Sequence, residues 1–347
     1  MSEEQEPSQD EGRSLISIRN LVLFVFIGMI IYLIIFFYGQ IDEVISAIGS
    51  IPWWWALPAM MVLSFANYGI RYLKWHYYLR RIDMDLAHAD SFSIFLAGFT
   101  LTVSPGKVGE AIKGYFCNEL DGTPVAKTAP VVISERVTDL LAMVLLAALA
   151  FVIGFGGENQ LLLLGLVGAG LVVAAFVLGN RTFYQKVLHR LTSIGPLKRF
   201  QDSCDLIEDT MTRTLSPQPL VLSTLISLPG WFMECLELWL LLSLITGAGL
   251  PSLAPASLAL LAQATFIHAT ASSVGAVMIF LPGGLGAYEG VAISIMEVLL
   301  GIPRSLAVAS TTIIRFVTLW FSVAVGFVAL AVVKHRKRAR AVVMHQA

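Results

Sequence analysis

LPGGLGAYE, residues 281–289, interrupts an apolar stretch that begins near residue 257 and resumes as far as about residue 300. Pro282 has no amide to donate and ends a helix, while Gly283, Gly284 and Gly286 let the chain turn tightly before the next helix starts. SPGKVGE, residues 104–110, breaks the apolar segment 91–104 in the same way. A helix broken inside hydrocarbon exposes backbone amides and carbonyls that must find protein, water or ligand partners. The fold therefore turns on whether these two breaks lie in a membrane.

Composition answers that they do. Of 347 residues, 56% are hydrophobic and 14% charged, against about 25% charged in an ordinary soluble domain. Residues 21–38, 51–70, 140–157, 159–180 and 316–333 each give at least 18 positions without a formal charge. A helix needs about 20 to cross the hydrocarbon. The chain reads as an all-α polytopic membrane protein. Its first residues, MSEEQEPSQDEGR, are acidic and unlike the basic start of a signal peptide, so 21–38 is kept as the first span. Cys117, Cys204 and Cys235 are too scattered for a disulfide framework or a metal site. No cofactor or metal is expected, and no nucleic-acid-binding module accompanies the charge.

Topology follows from where lysine and arginine fall. Arg13 and Arg19 precede the first span and Asp42 and Glu43 follow it, which puts the N-terminus in the cytoplasm. A second span, about 51–71, leads back to Arg71, Lys74, Arg80 and Arg81. These, with Trp75 and His76, could collect anionic lipids at the cytoplasmic surface, though ordinary positive-inside anchoring is the plainer reading; Trp53, Trp54 and Trp55 read as the opposite, outer aromatic belt. The segment 91–118 is too short for an ordinary span and suits a re-entrant pair of half-helices. A span from about 129 to 154 and another returning near 180 come next. The basic connector 181–213 has an apolar face fit to lie on the bilayer surface. A span at 220–246, an uncharged outer connection, the second broken element at 257–300 and a last span at 305–333 complete the path. The tail KHRKRAR, 334–340, is placed in the cytoplasm against anionic headgroups. Parity then gives about six full spans plus two oppositely oriented re-entrant half-helix pairs. They lie in one domain, 15–333, of a cytoplasmic (inner) membrane protein, between a polar tail at 1–14 and a basic tail at 334–347.

The two breaks also match each other. Pro105, Gly106, Gly109, Glu110, Gly122, Pro124 and Arg136 correspond to Pro282, Gly283, Gly286, Glu289, Gly301, Pro303 and Arg315. Glutamate to proline is 14 residues in both, and glutamate to arginine is 26 in both. The expected repeat cores are 91–153 and 257–333, inverted relative to one another, as in transporters whose discontinuous helices build midplane sites.

Several residues follow as candidates. Amides at the breaks, around Gly106, Lys107, Gly109, Gly283, Gly284 and Gly286, could bind an anion such as a lipid phosphate; a tight hairpin turn without a ligand is the plainer reading. Arg315 lies about ten residues into an uncharged helix, roughly 15 Å deep, where a lone charge costs several kcal/mol. Arg136 occupies a comparable place, beside Glu135 and near Asp139. Glu110 and Glu289 are the natural acidic partners. The resulting ion pairs either brace the broken helices or line a cationic lipid site, and a paired arginine keeps donors for both. Glu234 and Glu237, three apart on a hydrophobic span, suit a proton or cation relay with Asp139 and His268. His268 is equally suited to an interhelical hydrogen bond.

At RYLKWHYYLRR (71–81), SPGKVGEAIKGYF (104–116), ERVTDL (135–140), LPGGLGAYEG (281–290) and Arg315, the chain resembles the family named for the transmembrane region of lysylphosphatidylglycerol synthase, flippase-like membrane proteins. The resemblance covers most of 15–333. It implies movement or handling of an anionic or polyprenyl-linked lipid, and it is compatible with a homodimer and with an envelope-enzyme partner. In the synthase, aminoacyl transfer belongs to a separate soluble domain, for which nothing after residue 340 leaves room. ATP-driven transport would need a partner, because no nucleotide-binding motif is present. Two other classes stay open: an intramembrane transferase acting on a lipid phosphate, and a noncatalytic lipid-binding scaffold.

Overall fold

The computed structural model describes residues 18–104, 110–155, 203–278 and 280–346, with isolated positions 165 and 169; side chains are described from Phe26 to Arg336. Most of the expected span at 159–180, most of the connector 181–213, and Gly106, Lys107 and Gly109 lie outside the described residues.

The described residues are helical almost throughout. In chain order the helices are α1 (Ile18–Tyr38), α2 (Ile41–Gly49), α3 (Trp53–Arg81), α4 (His88–Ala97), α5 (Ile112–Asp121), α6 (Val125–Phe155), α7 (Cys204–Leu215), α8 (Pro217–Ile245), α9 (Pro255–Val277), α10 (Ala287–Leu300), α11 (Arg304–Arg315) and α12 (Phe321–Gln346). A 3₁₀ turn, Gly98–Leu101, extends α4, another, Pro282–Gly284, precedes α10, and a π turn, Phe316–Trp320, joins α11 to α12. Among the described residues five helical stretches are long and apolar enough to cross a membrane, six if α1 and α2, bent by 98°, form one span. The protein is a multi-pass membrane protein. Its outer surface carries exposed large apolar side chains such as Phe26, Leu33, Phe37, Val62 and Ile153, as a lipid-facing surface should.

Two details depart from the sequence expectation. The connection after α1 is itself a helix, α2, with Val44 and Ala47 buried. The helix begun at Trp53 does not surface at Arg71 but runs on to Arg81, burying Arg71, Lys74 and Trp75. The reading of Arg71 and Lys74 as surface anchors is therefore corrected: both pack inward, where acidic and hydroxyl groups on α6 and α8 meet them.

Polar bonds give the packing register. Ser64 bonds Glu237, Asn67 bonds Glu234 and Lys74 bonds Ser227. Each rise along α3 is matched by an equal fall along α8, so the two helices are antiparallel. Tyr78 and Lys74 meet Ser134 and Thr138 in the same falling order, so α6 is antiparallel to α3 as well.

Apolar clusters hold the two ends of the bundle. One joins α2, the start of α3 and the end of α8 to α9, α10 and α11, through Ala56, Met60, Leu241, Ile267, Met296 and Val308 among others. The other joins the end of α3 to α4, α5 and the end of α12, through Trp75, Leu79, Phe95, Phe116 and Leu330. Along α3 and α8 a polar band separates them: Ser64, Asn67 and Arg71 on one helix, Ser227, Glu234 and Glu237 on the other.

Helix ends follow local chemistry. Both α5 and α10 stop at a glycine in the left-handed conformation, Gly122 at φ 79° and Gly301 at φ 64°. Each is followed two residues later by a proline, Pro124 or Pro303, after which the next helix begins.

Candidate functional site

Within the polar band lies a cavity of about 260 Å³ lined by Arg71, Arg136 and Arg315 together with Glu110, Asp139, Glu234 and His268. Its walls come from α3, α6, α8, α9, α10, α11, the π turn, the start of α12 and the described residues of the two broken elements. Tyr68, Phe99, Trp231 and Tyr288 supply aromatic surface, and Gly283 and Gly284 bring backbone to the edge.

Arg315 is the most completely held of the three. Its Nε donates to Glu289 Oε1 at 2.8 Å and its Nη2 to the Gly283 carbonyl at 2.7 Å, and its guanidinium lies 4.7 Å above the Tyr288 ring. Glu289 in turn accepts the Gly286 amide at 2.7 Å, capping the first turn of α10. One carboxylate thus ties the guanidinium to the turn that breaks the helix. The turn needs glycine at 284, where φ is +69° and a Cβ would sit 2.8 Å from the Gly275 carbonyl oxygen.

Arg136 and Arg71 share Asp139. Arg136 Nη2 is 3.2 Å from Asp139 Oδ2 and 3.4 Å from Glu110 Oε2. Arg71 Nη2 lies 3.6 Å from the same Asp139 oxygen, its guanidinium 5.3 Å from the Trp231 ring and 5.6 Å from Phe99. The Nε groups of both arginines are buried and have no hydrogen-bond partner among the described residues. Behind the cavity Lys74 donates to Asp139 Oδ1, which also accepts the Ser227 hydroxyl at 3.0 Å. A second sealed pair, Lys113 with Glu135, sits against the Trp75 ring.

The remaining candidates divide. Glu234 accepts from Asn67 and lies 3.0 Å from His268 Nε2, and His268 Nδ1 lies 2.9 Å from the Tyr288 hydroxyl. This chain opens on the cavity. Glu237 does not line it: the side chain is fully buried, Oε1 accepts the Ser64 hydroxyl at 2.8 Å, and Oε2 has no partner among the described residues.

The structure therefore brings Glu110, Arg136, Asp139, Glu234, His268, Gly283, Gly284 and Arg315 around one space. Glu289 and Gly286 stand behind Arg315, Glu237 is set apart, and Lys107, Gly106 and Gly109 lie outside the described residues. Sequence reasoning missed Arg71, Lys74, Asn67 and Tyr288 as parts of the site. A signal for the first three was present. Ser64, Asn67, Arg71, Lys74 and Tyr78 recur at alternating spacings of three and four, the mark of one helical face. A polar stripe of that kind on a membrane helix faces protein or water rather than lipid.

The family described as the lysylphosphatidylglycerol synthase TM region matches residues 21–326. A UPF0104 membrane protein of Methanothermobacter thermautotrophicus is 26% identical over 297 residues, covering 78% of this chain and 83% of the relative. A second, from Pyrococcus horikoshii, is 22% identical over 329 residues, covering 91% and 97%. The chain belongs to the family of the lysylphosphatidylglycerol synthase transmembrane region, flippase-like membrane proteins that handle lipids.

Proposed function

We propose that the cavity receives the phosphate-bearing headgroup of an anionic phospholipid or polyprenyl-linked lipid and that the protein moves this lipid between the leaflets of the cytoplasmic membrane. The observation that carries the reading is the set of three guanidiniums at one cavity, two of them with a buried, unpartnered Nε–H. A buried donor without an acceptor costs about 1–3 kcal/mol, and a phosphate oxygen is the acceptor that suits an arginine fork. The volume, about 260 Å³, is just under the roughly 300 Å³ at which pockets for drug-sized ligands begin. A polar headgroup fits such a space while its acyl chains remain in the bilayer. The glycine-rich turn at Gly283 and Gly284 brings backbone dipoles to the same place, as in transporters with broken helices.

Two oppositely oriented re-entrant pairs form the finer part of this reading. Its support is the distribution of helix ends. Leu260 of α9 and Leu300 of α10 both pack on the cluster that holds the end of α8, whereas α4 and α5 pack on the cluster that holds the end of α3. The paired landmarks Glu110 with Arg136 and Glu289 with Arg315 point the same way, each bond linking a break to the helix after the next glycine–proline stop. Lys127 and Arg213 sit at the end where α3 terminates, which supports reading that end as the cytoplasmic one.

The test is leaflet transfer in liposomes, using labelled phosphatidylglycerol, phosphatidylcholine and a polyprenyl phosphate. Wild-type protein is expected to transfer an anionic lipid selectively, and R136Q/R315Q to lose at least about tenfold in rate, the effect of roughly 1.4 kcal/mol at the barrier. Unchanged transfer by the folded double variant would remove the arginines from the mechanism. A chemically altered lipid without leaflet transfer would identify a transferase instead, and lipid binding with neither activity a scaffold.

A further inference from the structure

We infer that Tyr32 is a positioning residue for Arg315: from α1 it fixes the Glu289 carboxylate against which the guanidinium is set toward the cavity. The inference rests on the lipid-cavity reading above and adds to it a residue that does not line the cavity.

Glu289 is fully buried and takes donors on both oxygens. Its Oε2 accepts the Gly286 amide, and its Oε1 accepts Arg315 Nε at 2.8 Å and the Tyr32 hydroxyl at 3.3 Å. Gly286 and Arg315 belong to the second broken element and the helix after its glycine–proline stop, whereas Tyr32 comes from α1, 257 residues away in sequence. The Tyr32 oxygen accepts in turn from Trp320 Nε1 at 3.3 Å, and the hydroxyl also stands beside the Arg315 guanidinium. Arg315 immediately precedes the π turn Phe316–Trp320, and Trp320 is the last residue of that turn. The links from Arg315 through Glu289 and Tyr32 to Trp320 therefore close across the π turn, and α1 supplies the member that joins its two ends.

The sequence of α1 suits this delivery. Phe26, Met29, Leu33 and Phe37 are exposed, as on a lipid-facing helix. One turn before Tyr32, Gly28 lets the helix lie close: a Cβ there would be 3.1 Å from the Trp320 ring and 3.5 Å from Leu285. Ile31 and Tyr32 pack on Val103, Leu285, Leu319 and Val323, a cluster in which residues of both broken elements meet.

The consequence for Arg315 is orientation. The last torsion of a glutamate side chain is broad, so a carboxylate held at one oxygen is free to turn and to carry its guanidinium with it. Donors on both oxygens, from the turn and from α1, remove that freedom. With Nε given to Glu289 and Nη2 to the Gly283 carbonyl, the plane of the guanidinium is set where Arg315 lines the cavity. Recognition of a phosphate by a planar fork depends on that plane, whereas a lysine acts as a point charge with donors that rotate.

Titration calorimetry of purified protein with dihexanoylphosphatidylglycerol reads the effect as affinity. Y32F removes the hydroxyl and keeps the ring, and it is expected to weaken binding about fivefold, the worth of one ordinary hydrogen bond. R315K keeps a positive charge beside Glu289 but loses the fork; in that background Y32F should change the affinity by less than about twofold. A Tyr32 that only anchors α1 would weaken both backgrounds alike, because the helix is then loosened whatever stands at position 315. Unchanged binding by Y32F, or an equal loss with and without R315K, would overturn the inference and leave the lipid-cavity reading in place. Failure of folded wild type to bind phosphatidylglycerol at all would instead remove that reading, and this inference with it.

Discussion

Asp139 serves three cations: Lys74 on one oxygen, Arg136 and Arg71 on the other. Removing one member of a buried pair leaves the other uncompensated, typically at about 3–5 kcal/mol. The two directions are unequal here. K74M leaves Asp139 with two guanidiniums beside it, whereas D139N leaves Lys74 with only hydroxyl and carbonyl partners and Arg71 without its carboxylate. Thermal unfolding in detergent should therefore rank D139N below K74M, and K74M/D139L should recover the part of the D139N loss that comes from Lys74, while Arg71 still lacks its carboxylate. Equal loss in the two single variants would mean that the lysine pair alone carries the stability. Arg136 and Arg315 were legible in the sequence because each lies deep in an apolar run with a glutamate at matched spacing. Arg71 and Lys74 were not, because basic residues near the end of a membrane helix ordinarily anchor it at the interface. The three- and four-residue spacing of Ser64, Asn67, Arg71, Lys74 and Tyr78 marks their shared face, but only the register of α3 against α6 and α8 says which groups that face meets.

At the scale of elements, the stops are where sequence and structure agree most closely. Gly122 and Gly301 both end a helix with positive φ, and a Cβ at either position would meet nothing within 4 Å. Substitution there isolates the backbone penalty, about 1–2 kcal/mol for a side chain in the left-handed region. G122A and G301A should each lower the unfolding temperature, with G301N milder than G301A because asparagine tolerates that conformation better. Identical melting of G301A and wild type would show that the stop is held by packing alone. Glycine and proline chemistry made these boundaries readable, and it made the two breaks readable too. The 98° bend between α1 and α2 falls at Gly39 and Gln40, the latter with φ 62°, and a Cβ at Gly39 would sit 2.7 Å from Val44; the π turn at Phe316–Trp320, which begins directly after Arg315, had no comparable local signal. A π turn, one residue wider than an α turn, often marks a functional position in a helix.

For the whole molecule, the question is which ends of which helices share a side of the membrane. Arg213 meets Asp83 at one end of the bundle, and Arg336 meets Asp90, near the start of α4, at the same end. Arg304, at the start of α11, stacks on Tyr38 and pairs with Glu297, beside the cluster that closes the other end. If the two broken elements are re-entrant in opposite senses, Asp85 and Asp121 lie on one side and Ser252 and Arg304 on the other. Single cysteines at these four positions, with Cys117, Cys204 and Cys235 replaced, should separate cleanly under a membrane-impermeant maleimide. S252C and R304C should react in intact cells, and D85C and D121C only after the membrane is opened. The pairing of D85C with D121C is the informative half, because α4 and α5 together would place them on opposite faces if that segment crossed the bilayer once. R304C and S252C make the same distinction for α9 and α10. Agreement within both pairs means that each broken element enters and leaves on one face, the two from opposite faces, so that a site between them can be exposed to each side in turn.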